Sequence, residues 1–240
     1  MYENATKHEF LFEGKKATVI VPTVPANGRW VWKAEYFEAF PNFEEAMVEK
    51  GYHVCFIEHD NRWATRDEVE RSAAFLRYVA ETYHLEQRGV PVGMSCGGLL
   101  AAQLAEAHPE LIAVLYLDAP VLNILSMAGL GECPANETIR LEIMNTFRFS
   151  KSSLISFRNS PIDHMDKLID NNIPIILLYG NADPVVMYAE NGQVLEDFYR
   201  AQGGTIKTVC KSMVGHHPHG LPDPQCIIDF VEEHFNDRKK

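Results

Sequence analysis

The sequence predicts an α/β protein with a mainly parallel sheet and helices on both faces. Three observations carry that prediction. Strand-like and helix-like segments alternate through nearly all of the 240 residues. Several strand candidates are unbroken apolar runs, the pattern of strands covered on both sides. The segments between them carry apolar residues at helical spacing, as crossover helices over a parallel sheet do.

The expected strands lie at residues 10–12, 17–21, 54–58, 90–93, 114–117, 175–179 and 205–209. Ile175-Ile176-Leu177-Leu178-Tyr179 is the clearest of them. Thr65-Arg66-Asp67-Glu68 spells a capping box, and Val69, Ala73, Leu76 and Val79 then share one helical face. Val194, Leu195, Phe198 and Ala201 form a second stripe, which Gly203-Gly204 stops. Ile227, Ile228, Val231 and Phe235 form a third near the carboxyl end. Residues 22–37 read as a loop. From about 121 to 172 no strand is expected, although the strands before and after should be neighbours. This stretch reads as a small helical insertion, a lid over the carboxyl edge of the sheet, in place of a plain crossover helix with a long surface loop. The whole chain, 1–240, reads as one domain carrying that insertion.

Bulk properties narrow the function. Hydrophobic residues make up 46% and the formal net charge is -11. Nucleic acid and anionic membrane, which need a cationic surface, are therefore unexpected partners. No apolar run reaches membrane-spanning length. The amino-terminal residues lack the basic-then-apolar layout of a signal peptide, so a cytoplasmic location is expected. Five cysteines, an odd count without paired spacing, argue against a disulfide framework or a zinc site. Cys55 and Cys210 read as small core hydrophobes.

The chemistry gathers in three loops. Gly93-Met94-Ser95-Cys96-Gly97 has the G-x-S-x-G spacing of a nucleophile elbow, between a strand candidate and the helix-like Leu99–Ala105 run. Such a turn exposes a serine hydroxyl beside a helix amino terminus, where N–H groups meet a developing oxyanion. A serine needs a base, and the base an orienting acid. Asp183 follows the best strand, in Gly180-Asn181-Ala182-Asp183, and is the favoured acid; Asp118, ending the 114–117 strand, is the reserve. The base lies in Gly215-His216-His217-Pro218-His219-Gly220. His216 is favoured and His217 is its rival, with His219 as a substrate contact. A His-rich tract also suits a metal, but no carboxylate or cysteine ligand motif stands beside it, so neither metal nor cofactor is expected. For the oxyanion hole, one N–H is expected from Cys96. The second is expected from the loop after residues 17–21, at Val24, with Thr23 and Ala26 as alternatives. Trp30 is the expected binding aromatic, together with His217 and His219, while Trp32 and Phe37 read as packing. Glu58-His59-Asp60 is expected to shape the pocket.

Together, the elbow, the acid loop at Gly180–Asp183 and the histidine loop at Gly215-His216 resemble the α/β-hydrolase superfamily over almost the whole chain. Within it, residues 25–32 and 215–221 are similar to esterase-like hydrolases distantly related to the prolyl oligopeptidase group. The resemblance implies an acyl-enzyme mechanism on a small-molecule ester, such as an acylated carbohydrate. A peptidase or amidase with the same triad, and a non-catalytic binding protein, are the alternatives. Two departures stand out: Pro22-Thr23 replaces the usual His-Gly oxyanion signature, and no propeller-like segment is present.

Overall fold

In the expected strands, alternate residues must point to opposite faces, and both faces must be covered. The computed structural model, which describes Tyr2 and residues 5–237, shows this arrangement. (The signal-peptide reading rests partly on Met1, Glu3 and Asn4, which lie outside the described residues.) Ile175 and Leu177 join the core on one side of the sheet, and Ile176 and Leu178 join the core on the other.

One sheet contains eight strands: β1 (Ala5–Phe12), β2 (Lys15–Pro22), β3 (Trp30–Lys33), β4 (His53–Ile57), β5 (Val90–Met94), β6 (Leu115–Asp118), β7 (Ile175–Gly180) and β8 (Ile206–Lys211). Their order is β1-β2-β4-β3-β5-β6-β7-β8. β2 runs antiparallel to both its neighbours, β1 and β4. From β4 through β8 every pairing is parallel. The carboxyl ends of β3 to β8 therefore share one edge, where sites form in open α/β sheets.

Helices α1 (Asn42–Glu49) and α9 (Gln225–His234) cover one face, and α2 (Arg66–Thr82), α3 (Cys96–Ala107) and α8 (Gly192–Ala201) cover the other. The α2 stripe behaves as its spacing requires: Val69, Ala73, Leu76 and Val79 are all buried. Thr65 is the N-cap of α2, but its side chain makes no capping bond. Glu68 instead accepts from the Asp60 backbone N–H and pairs with His59 and Arg71, so tertiary partners displace the expected capping box.

The main departure is β3, which was expected to be loop. It is only four residues long, and all four are buried, Lys33 included. Lys33 is tolerated because Glu44 meets its ammonium at 2.6 Å, both side chains being fully buried. Cys210 is also corrected: it is exposed, because β8 is an edge strand and leaves one side open. Residues 121–172 contain α4 (Ile124–Met127), α5 (Glu137–Phe147), α6 (Lys151–Ile155) and α7 (Asp166–Asp170) and no strand. Among the described residues, no helix is long and apolar enough to cross a membrane.

Candidate active site

β5 ends at Met94 and α3 begins at Cys96, which leaves Ser95 alone in the turn. Its backbone is held at φ 52°, a left-handed value that costs a non-glycine residue energy and persists only where packing enforces it. The enforcement is visible. Ser95 N–H donates to the Asp118 carbonyl, and the Ser95 carbonyl accepts from Gly98 and Val121. Glycine is required around the turn because neighbours crowd it. A Cβ at Gly93 would lie 2.6 Å from Gly98 Cα, and one at Gly98 would lie 2.3 Å from Pro120 Cβ.

The turn points Ser95 at the loop after β8. Its Oγ is 3.0 Å from His216 Nε2. His216 Nδ1 is 2.7 Å from Asp183 Oδ2. The other carboxylate oxygen of Asp183 accepts from the N–H groups of Val185 (2.8 Å) and Val186 (3.0 Å). Burial pushes the Asp183 carboxyl up, but its bonds to His216 and these N–H groups outweigh burial and hold it below the usual carboxylate range. It is thus an anion fixed on the far side of the imidazole from the serine, the geometry of a nucleophile, a base and an orienting acid.

Asp118 ends the neighbouring strand, yet it faces different partners. Lys211 Nζ holds both its oxygens, at 2.8 and 2.9 Å, and Gly220 N–H donates to it at 2.5 Å. Lys211 also donates to the Pro218 carbonyl at 2.9 Å. This buried pair anchors the histidine loop through Gly220 N–H and the Pro218 carbonyl. Nothing local in the sequence announces it, since the partners are 93 residues apart.

Two expected site residues are misplaced. Val24 follows β2, whose direction is antiparallel, so its loop sits at the opposite edge of the sheet from Ser95; Asn27 in the same loop bonds to Gly51 there. Thr23 and Ala26 fail for the same reason. The turn that does approach the serine is the one after β3. A Cβ on Gly97 would meet Glu35 Cβ at 3.0 Å and Glu35 N at 3.3 Å. Ala34 N–H is committed to the Val92 carbonyl, which leaves Glu35 and Tyr36 as candidate donors. His59 steadies this turn, its Nε2 3.0 Å from the Ala34 carbonyl. Trp30 is corrected as well. It is wholly buried at the amino end of β3, donates through Nε1 to the Glu86 carbonyl, and lies so close to Gly89 that a Cβ there would fall 2.2 Å from its ring. It is a packing residue.

The cavity over Ser95 has a volume of about 300 Å³. Tyr36, Phe40, Trp63, Met127 and Ile139 supply its apolar walls, and His216, His217 and His219 line it too. Met127 and Ile139 come from the 121–172 segment, which therefore supplies part of the cavity wall. Glu142 of α5 ties the insertion down: both its oxygens take hydrogen bonds from Arg62 (3.0 and 2.6 Å), and one also takes Trp63 Nε1 at 3.0 Å. Sequence reasoning missed Arg62 and Trp63. The available signal was their position just beyond β4, at the same edge as the expected pocket-shaping segment 58–60. His217 is exposed and stacks on Phe40 at 5.6 Å, whereas His219 is buried behind it.

The family model for the prolyl oligopeptidase family matches residues 51–237, well over half of the sequence. The chain belongs to the prolyl oligopeptidase family. It has the α/β-hydrolase fold. No curated protein matches it by sequence. Solved structures share its fold. A truncated form of a carbohydrate esterase from gut microbiota is similar with a TM-score of 0.71 at 15% identity, covering 98% of each chain. A putative dipeptidyl aminopeptidase IV from Bacteroides ovatus (TM-score 0.70, 11% identity) matches 97% of this chain. The Pyrococcus horikoshii acylaminoacyl peptidase (TM-score 0.71, 11% identity) matches 99%. This family member spans only 35% and 44% of those two peptidases, which are much longer chains.

Proposed function

We propose that this protein hydrolyses carboxylic esters of small molecules through an acyl-enzyme. Ser95 Oγ attacks the ester carbonyl while its proton passes to His216 Nε2. Asp183 holds the imidazole and stabilises its positive charge. The oxyanion sits on the Cys96 N–H, at the first residue of α3 where the helix supplies no backbone acceptor, and on an N–H of the Glu35–Tyr36 turn. The alcohol leaves with the proton from His216. Water then gives its proton to His216, attacks the acyl carbon and releases the acid and Ser95. The series of contacts from Ser95 through His216 to Asp183, at 3.0 and 2.7 Å, carries this reading.

Two observations favour an ester. The cavity is small, with mainly aromatic and aliphatic walls, and among the described residues that line it there is no carboxylate to hold a peptide's ammonium end. The carbohydrate esterase matched end to end supports an acylated carbohydrate as substrate, with the rings of Tyr36, Phe40 and Trp63 as surfaces for a sugar or acyl group. Five free thiols are in keeping with a cytoplasmic location. Amide cleavage by the same triad is the second reading, favoured by the family match and the two peptidase structures. Turnover of acetylated sugars and short-chain aryl esters should exceed that of aminoacyl anilides by orders of magnitude. Faster anilide cleavage would replace the ester reading with the amidase one.

A further inference from the structure

Beyond the triad, the histidine loop carries an arrangement that the proposed hydrolysis does not use. His216, His217 and His219 can each bring one ring nitrogen within 4.8 Å of the other two. Their ring centroids are 4.8, 4.9 and 4.9 Å apart, and the planes stand at 64°, 83° and 87° to one another. Three rings of one polar type converge like blades around a common point in the cavity wall.

His219 makes the cluster unusual. It is buried, with only 5% of its surface exposed, yet neither ring nitrogen has a hydrogen-bond partner. Burying an imidazole with both nitrogens unmet is costly, and a ligand would remove that cost. Its Nδ1 lies 3.6 Å from Asp118 Oδ1, which aims Nδ1 at a carboxylate and leaves Nε2 for the cavity side. His216 repeats the pattern, with Nδ1 on Asp183 and Nε2 turned to Ser95. A carboxylate behind a histidine is the usual outer partner of a metal-binding imidazole, because it fixes the tautomer and makes the ring more basic. Asp183 is such a partner for His216, whereas Asp118 faces His219 Nδ1 from 3.6 Å without a hydrogen bond.

We propose that His216, His217 and His219 form a binding site for a borderline transition-metal ion such as Zn²⁺, which switches the hydrolase off by taking His216 Nε2 away from Ser95. Tetrahedral zinc holds nitrogens at about 2.0–2.1 Å, so its ligand atoms sit roughly 3.4 Å apart. Closing the cluster needs movements of about 1.5 Å at most, within the reach of the exposed His217 ring. Imidazole ligands select zinc, copper and nickel over magnesium and calcium. The nearby cations do not oppose the ion, since Lys211 is neutralised by Asp118 and Arg62 by Glu142. A fourth position would remain for water. The inhibitory half of this inference rests on the proposed triad, whereas the binding half does not.

The test separates the two. Zinc ion alone is titrated calorimetrically into the Ser95→Ala protein and into Ser95→Ala with His217→Gln or His219→Gln added. His217 is exposed, so its replacement does not threaten folding. One saturable site is expected in the first protein, weakened at least tenfold by either added change, since loss of even an outer-shell partner costs roughly 10–100-fold. Equal zinc binding in all three proteins, or no saturation by millimolar zinc, would overturn the site. In the wild type, saturating zinc should abolish ester turnover and a chelator should restore it. Full turnover with the histidine site occupied would overturn the switch. Zinc binding in a protein that cleaves no ester would leave the site standing and remove only the proposed hydrolysis.

Discussion

Asp118 and Asp183 end adjacent strands at the same edge of the sheet, and both are buried near the histidine loop, but they do different work. Asp183 sits past the end of β7 and meets one imidazole and two backbone N–H groups. Asp118 is the last residue of β6 and hydrogen-bonds to an ammonium and to Gly220 N–H, with the His219 imidazole no nearer than 3.6 Å. A carboxylate whose charge faces an imidazole can respond as that ring gains a proton. One already neutralised by a buried lysine cannot, and serves as an anchor. The identity of the partner, more than strand position or burial, separates a candidate catalytic acid from a structural one.

The largest expected effect breaks this contrast from the Asp183 side. Asp183→Asn should lower kcat about 10⁴-fold, because the amide presents the wrong tautomer to His216, while the melting curve stays cooperative. Steady-state kinetics beside calorimetry checks both halves. From the other side, Asp118→Asn strands the Lys211 ammonium in the interior. It should cost about 3–5 kcal/mol of stability, measured by urea unfolding, as expected when one partner of a buried ion pair is removed. Asp118→Asn combined with Lys211→Met should recover much of that loss, because the pair then leaves no orphan charge. If Asp118→Asn cost turnover but no stability, the anchoring role would be wrong.

Acid stability sharpens the contrast further. The Asp183 carboxyl is held below its ordinary range in the folded protein, so its contribution is present above the unfolded value of about 3.9 and is lost as pH falls through the lower folded value. Melting temperature in the wild type should therefore drop below about pH 4 more steeply than in Asp183→Asn. A smaller effect concerns the walls. Ile139→Ala should change KM roughly tenfold or less for the longer acyl esters and leave acetyl esters nearly untouched. Trp30→Phe, remote from the cavity, should shift the melting temperature without changing KM for any ester.

The parts of this molecule that the sequence reveals are those fixed by local sterics. The elbow is legible because a tight strand-to-helix turn crowded by Gly98 and Pro120 can be written only with glycines at set offsets. Asp183 is legible because it follows an apolar strand, and His216 because its loop follows the next strand, whose parallel pairing brings the two carboxyl ends together. β3 is the instructive failure. Trp30-Val31-Trp32-Lys33 is short, does not alternate, and ends in a buried lysine whose partner Glu44 is eleven residues away. Read as loop, it put Trp30 beside the serine and assigned the second oxyanion donor to the wrong edge, at Val24. Its β-branched and aromatic content after Asn27-Gly28 was the signal available. Lys211 and Asp118, and Arg62 and Glu142, were invisible because such pairs are made by tertiary packing across 93 and 80 residues.

The most direct measurement is covalent labelling by a fluorophosphonate, read by intact mass and peptide mapping. One adduct per chain is expected on Ser95, absent in Ser95→Ala and strongly slowed in His216→Ala. An adduct on another residue, or labelling that survives Ser95→Ala, would contradict the assignment of Ser95 as the nucleophile.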